Sequence, residues 1–203
     1  MTLSETIAEF GKVVLALVIV LDPVALLPIL VGIRSQTTPQ EDRWIPAKIV
    51  GGGTVLLLFF TATGTWVLKL FDVTLDDLRI GGGLLLLVTS LRMVIDGRIG
   101  SDPQKDYRAA LVPLISPLLV GPGAITASVV FARVYGVWFT SLAVIAAMIL
   151  CLLVLLSRSF IYRLIGESGT DLVTRIMGIL VATIAVGYMR TGIIGVLKTS
   201  GSM

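Results

Sequence analysis

The sequence predicts an all-α membrane protein: six transmembrane helices forming two inverted three-helix repeats, with helices 1 and 4 discontinuous. Three observations carry this prediction. First, the 203-residue chain is 56% hydrophobic and only 14% charged, with a mean hydropathy of +0.99; soluble domains carry about 25% charged residues. Second, proline pairs interrupt the first and fourth apolar segments, as Asp22-Pro23 with Pro28 and as Ser116-Pro117 with Pro122, at a constant offset of 94 residues. Third, the two halves of the chain read as copies of one another.

The apolar segments run roughly over 13–33, 49–68, 80–95, 109–132, 137–157 and 176–197. Apart from the third, which is short, each is about as long as a membrane crossing requires, so one domain over residues 1–203 is expected. The first segment follows Glu5, Glu9 and Lys12 rather than a basic leader, and no small-residue cleavage site follows it, so it reads as a retained span. The second and third open with Gly51-Gly52-Gly53 and Gly81-Gly82-Gly83, which suit close helix packing. The segments Arg34–Lys48, Lys69–Arg79, Asp96–Arg108 and Ser157–Arg175 hold most of the charges and read as loops.

The first repeat covers about 1–99 and the second about 107–203. Ala16-Leu17-Val18 recurs as Ala110-Leu111-Val112, Lys69-Leu70 as Arg163-Leu164, and Asp77-Leu78 as Asp171-Leu172. After a two-residue insertion, Arg79-Ile80-x-Gly82 recurs as Arg175-Ile176-x-Gly178. Three spans per copy require the second copy to cross in the opposite sense, the pattern of secondary transporters. Nine cationic residues follow spans one, three and five, against five on the other side. By the positive-inside rule the first set is cytoplasmic, which places both termini outside an inner, or plasma, membrane.

Composition also narrows the function. No basic stripe interleaved with aromatics is present, so nucleic acid is not an expected partner. The chain has no histidine, and its single cysteine, Cys151, lies in an apolar run. Neither a cofactor nor a metal site is expected, and Asp22 with Ser116 is too sparse a set for an intramembrane enzyme.

The chemistry concentrates at the two breaks. Asp22 is the one ionisable residue in the body of the first span, where a charge costs about 2.5–3.5 kcal/mol. Beside Pro23 it is placed to carry a proton, help hold a cation, or bind an ammonium group; capping the helix that starts at Pro23 is the plainer role. At the second break, Gly121-Pro122-Gly123 lets a ligand approach the backbone, and the half-helix beginning there offers free amides and a positive dipole end to a carboxylate. Ser116 and Thr126 add hydroxyls. Thr89, Ser90 and Thr183 read as bonded to their own helices. Arg92 and Arg190 read as snorkelling, and Trp66 and Trp138 as interfacial anchors.

Around these motifs the chain resembles the MarC family of membrane proteins, which includes the SnatA small neutral amino acid transporters. The family pattern Asp-Pro-x-Gly-x-x-Pro stands here as Asp22-Pro23-Val24-Ala25-Leu26-Leu27-Pro28, and a second pattern as Pro117-Leu118-Leu119-Val120-Gly121-Pro122-Gly123. Ala25 replaces the usual glycine; its methyl narrows the site or stiffens the break. The resemblance implies six spans with the first and fourth discontinuous, and symport or exchange of glycine, alanine and similar amino acids coupled to protons, with Na+ the other coupling ion considered. Substrate-binding residues are then Asp22, Pro23, Ala25, Ser116, Gly121, Pro122, Gly123 and Thr126, with Asp22 also coupling the proton. The residues themselves fit a small zwitterion without choosing amino acids over other small anions. An exporter of drugs or metabolites and a passive channel are the alternatives, and an oligomer is compatible with either.

Overall fold

The structure, a computed structural model, describes residues 3–33, 38–96 and 119–200. The described residues are helical throughout, apart from short turns. Helix α1 spans Leu3–Leu21, a 3-10 turn spans Pro23–Leu26, and α2 spans Leu27–Ile33. Then follow α3 (Pro39–Leu70), α4 (Leu75–Asp96), α5 (Pro122–Tyr135), α6 (Val137–Leu156) and α7 (Arg158–Ser200). Five stretches among the described residues are long and apolar enough to cross a membrane: Ser4–Val31, Pro39–Gly64, Leu75–Ile95, Val137–Leu156 and Ser168–Lys198. The fourth expected segment is half described, because 109–118 lie outside the described residues and α5 supplies the remainder.

Local chemistry sets the helix ends. Thr38 and Glu41 form a reciprocal capping box at the start of α3, with Thr38 Oγ1 donating to Glu41 Oε2 at 2.9 Å and the Glu41 amide donating to Thr38 Oγ1 at 3.3 Å. Thr74 and Asp77 repeat the device at the start of α4. Gly136 turns α5 into α6 in one residue at φ 91°, a conformation that glycine adopts without a Cβ penalty. Two helices extend well beyond the expected spans. The charged stretch from Pro39 to Lys48, expected as loop, is the first three turns of α3. Much of Ser157–Arg175, also expected as loop, is helix bent at Gly166, where φ is 67°. Buried Thr170 and Thr174 give that stretch a packed face despite its charges.

Pro46 lies inside α3 and is tolerated for a visible reason. A proline has no N–H to give the carbonyl four residues earlier. That carbonyl belongs to Asp42, and Arg158 Nη2 donates to it at 2.9 Å while pairing with Asp42 Oδ2 at 2.7 Å. The arginine is 8% exposed, so a tertiary contact repairs the break at one end of the bundle. Near the other end, the Tyr135 hydroxyl donates to Glu9 Oε2 at 2.9 Å and ties α5 to α1.

Helices α4 and α7 run antiparallel, in close contact through glycines. Gly178 lies against Met93 and Val94, Gly83 against Met189 and Ala185, and Gly192 against Ile80 and Arg79. In lipid, helix association rests on such close packing rather than on hydrophobic exclusion. The main core gathers Leu17, Leu21 and Leu27 with Ile49, Leu57, Ala143 and Met148. Outward faces carry Leu15, Val55, Phe59, Leu85, Ile149, Leu153 and Ile179, all largely exposed, an apolar surface far beyond what water tolerates and fitted to a bilayer. Trp44, Trp66 and Trp138 also point outward.

Candidate functional site

The first span breaks where the sequence places the break. The Asp22 amide closes α1 by donating to the Val18 carbonyl at 3.0 Å, and the Asp22 carbonyl accepts from the Ala25 amide at 3.3 Å to begin the 3-10 turn. Between these bonds Asp22 adopts φ 38°, ψ 68°. A residue before proline is driven out of the right-handed helical region, and aspartate is one of the few side chains that enter the left-handed one. The Asp22-Pro23 pair is therefore a sequence-encoded break. Pro28 falls at the second residue of α2, where a missing N–H costs little.

The Asp22 side chain is 3% exposed, and neither carboxyl oxygen has a hydrogen-bond partner among the described residues. The amides of Val24 and Ala25 approach it without reaching hydrogen-bond geometry. The side chain makes no capping hydrogen bond to the turn that follows, although the two amides nearest it, those of Val24 and Ala25, are the ones a cap would take. Its surroundings are apolar: Leu21, Leu26 and Leu27 beside it belong to the main core, and Pro23 and Ala25 are buried. It also lies within electrostatic reach of the Cys151 thiol on α6, itself fully buried.

The second break is built differently. Gly121 is extended, at φ −78° and ψ 171°, and α5 starts at Pro122. The amides of Ala124 and Ile125 both turn back to the Gly121 carbonyl, at 3.0 and 3.2 Å. Pro122 has no amide, which leaves that of Gly123 as the uncommitted donor of the first turn among the described residues. The expected fan of free amides thus narrows to one, reinforced by the dipole of a 14-residue helix. Gly123 is also a packing requirement, because a Cβ there would collide with Leu86 of α4. Thr126, 4% exposed, lies one turn further on and packs against Gly82 of α4, where a Cβ would meet the threonine side chain.

The two breaks share one apolar core: Leu119, Val120, Ala124 and Ala127 join Leu21, Leu26 and Leu27 in the same cluster. No hydrogen bond links Asp22 to the second break among the described residues. Ser116 lies outside the described residues. Thr89, Ser90 and Thr183 donate to Leu85, Leu87 and Ile179 carbonyls of their own helices, as the sequence reading expected.

Three polar residues carried no site assignment from the sequence. Cys151, read from the sequence only as a lone cysteine in an apolar run, lies within electrostatic reach of Asp22, a proximity made only by tertiary folding. Tyr188 packs between the main core and the smaller Leu86–Val181–Ala185 cluster with its hydroxyl unpartnered among the described residues. Thr140 Oγ1 at the start of α6 is likewise buried without a partner among the described residues. For Tyr188 a signal existed: a buried phenol in an apolar span normally needs a partner.

Comparison with known proteins places these features in a family. Residues 7–197 match the family described as MarC family integral membrane protein. A UPF0056 membrane protein of Methanocaldococcus jannaschii is 33% identical over 88% of this chain and 92% of its own length. One from Aquifex aeolicus is 30% identical over 94% of this chain and 96% of its own. The UPF0056 membrane protein YhcE of Escherichia coli is 27% identical over 92% and 93%. No solved structure matches the chain. With a family match over nearly its whole length and relatives that align almost end to end, this chain belongs to the MarC family of integral membrane proteins.

Proposed function

We propose that the protein is a secondary transporter of small neutral amino acids, glycine and alanine foremost, coupled to protons and working by alternating access between the breaks of helices 1 and 4. The observation that carries this reading is Asp22: an acidic side chain buried in an apolar core at a helix break, with no hydrogen-bond partner among the described residues. A buried polar group without a partner is costly, and intramembrane acids mark ion or substrate paths. Asp22 takes up the coupling proton while its other carboxyl oxygen accepts from the substrate ammonium, so that proton and substrate cross together and the empty site returns without the proton. The Gly123 amide and the positive end of α5 take the carboxylate, with Gly121 and Pro122 holding the backbone open and Thr126 and Ser116 supplying hydroxyls.

The inverted repeat belongs to this reading and has support of its own. Gly178 of α7 packs on Met93 of α4, and Gly83 of α4 packs on Met189 of α7; the two methionines keep the 96-residue offset of the repeat, while the two glycines are one residue out of register. Alternating access also needs closures at opposite ends of the bundle. The Tyr135–Glu9 and Arg158–Asp42 contacts are the candidates, one for each side of an inner membrane with both termini outside. The test is uptake of labelled glycine and alanine into proteoliposomes with and without an inward proton gradient. Accumulation above equilibrium that needs the gradient supports the reading; no uptake by folded protein under either condition refutes the substrate, and equilibration without accumulation points to a channel.

A further inference from the structure

A groove of about 490 Å³ lies on the outer seam between α4 and α7, away from both helix breaks. Its walls are Leu91 and Val94 on one side and Ile179 and Val186 on the other. Two hydroxyls line it, but each is already committed to its own helix, Ser90 to the Leu87 carbonyl and Thr183 to the Ile179 carbonyl. A small polar solute therefore finds few open partners there. The one charge is Arg190, exposed at one end of the groove, with no ion pair or hydrogen bond among the described residues.

From Ile179 to Arg190 the groove follows α7 over about 16 Å at 1.5 Å per residue, close to half of the ~30 Å hydrocarbon core. The apolar stretch of α7 runs from Ser168 to Lys198, so its midpoint falls at Thr183. Ile179, four residues before that midpoint, then lies about 6 Å past the bilayer centre. Arg190 lies about 10 Å from that centre, within snorkelling reach of the headgroup layer. An apolar groove that runs from past the midplane toward the headgroups, with a lone guanidinium at one end, is complementary to an amphiphile with an anionic head. Guanidinium is also the side chain suited to bidentate phosphate binding.

We propose that this seam is a binding site for an anionic glycerophospholipid, with an acyl chain along Leu91, Val94, Ile179 and Val186 and its phosphate on Arg190. The full-length protein is purified and offered equimolar phosphatidylglycerol and phosphatidylcholine, and bound lipid is counted by native mass spectrometry. Wild type is expected to retain phosphatidylglycerol preferentially. Arg190→Gln should lower phosphatidylglycerol occupancy about five-fold while leaving phosphatidylcholine unchanged, and Arg190→Lys should keep most of the preference. Val186→Trp, which fills the groove, should lower both lipids. Undiminished phosphatidylglycerol retention in Arg190→Gln overturns the proposal. So does a Val186→Trp variant that loses a dimer peak while its lipid adducts stay the same, because the occupant is then a second copy of the chain.

Discussion

Replacing Arg158 by methionine tests how the bundle tolerates a proline inside α3. The structure gives this arginine two tasks: an ion pair to Asp42 Oδ2 at 2.7 Å, and a hydrogen bond at 2.9 Å to the Asp42 carbonyl that Pro46 leaves without its helical donor. Breaking a buried pair costs about 3–5 kcal/mol, and the 14% exposure of the Asp42 side chain argues for the lower end, about 3 kcal/mol. For a protein of this length that is a fall in Tm of about 6–12 °C. Pro46→Ala supplies residue 46 with an N–H for the Asp42 carbonyl, so part of the work of Arg158 becomes redundant. In that background Arg158→Met should cost about 1 kcal/mol less, the net worth of one hydrogen bond. The assay is thermal unfolding of the four purified proteins in one detergent, read as a double-mutant cycle. Equal cost in both backgrounds refutes the repair of Pro46 by Arg158, and an unchanged Tm in Arg158→Met refutes the buried ion pair itself.

Other consequences follow from the tight contacts and the orientation. Gly123→Ala pushes a methyl into Leu86 and should destabilise by about 1–3 kcal/mol in thermal unfolding, and adding Leu86→Ala should recover part of the loss. Gly82→Ala should displace Thr126 and raise the KM for glycine uptake more than it lowers the maximal rate. In a Cys151→Ala background, Lys198→Cys should react with a membrane-impermeant maleimide added to intact cells, whereas protection until lysis would reverse the orientation. Native Cys151, fully buried, should react with maleimide more slowly than a cysteine placed at Trp138, which is 84% exposed.

The break in the first span and the start of α5 were legible in the sequence because proline acts locally. Asp22-Pro23 stops a helix through a missing donor and a steric clash, and Pro122 starts α5 where its missing N–H costs nothing. The extent of the helices was less legible. Charges in Pro39–Lys48 and Ser157–Arg175 read as loop, yet a capping box at Thr38 and Glu41 starts one helix early, and buried Thr170 and Thr174 hold the other in place. The partners of the site residues were not legible at all. That Cys151 lies within electrostatic reach of Asp22, that Leu86 leaves no room for a Cβ at 123, and that Arg158 serves the carbonyl freed by Pro46 are relations between distant segments, and single-residue chemistry does not encode them. The amide fan inferred at α5 overlooked that Ala124 and Ile125 turn back to Gly121, which leaves Gly123 as the donor.

The central claim is that Asp22 couples substrate movement to protons, and the most direct measurement compares wild type with Asp22→Asn in proteoliposomes loaded and unloaded with glycine. Asparagine keeps the size of the side chain and cannot cycle a proton. The account predicts that Asp22→Asn loses gradient-driven accumulation of labelled glycine while the wild type accumulates it above equilibrium under the same gradient. Accumulation by Asp22→Asn at the wild-type level and with the wild-type dependence on the gradient would contradict it.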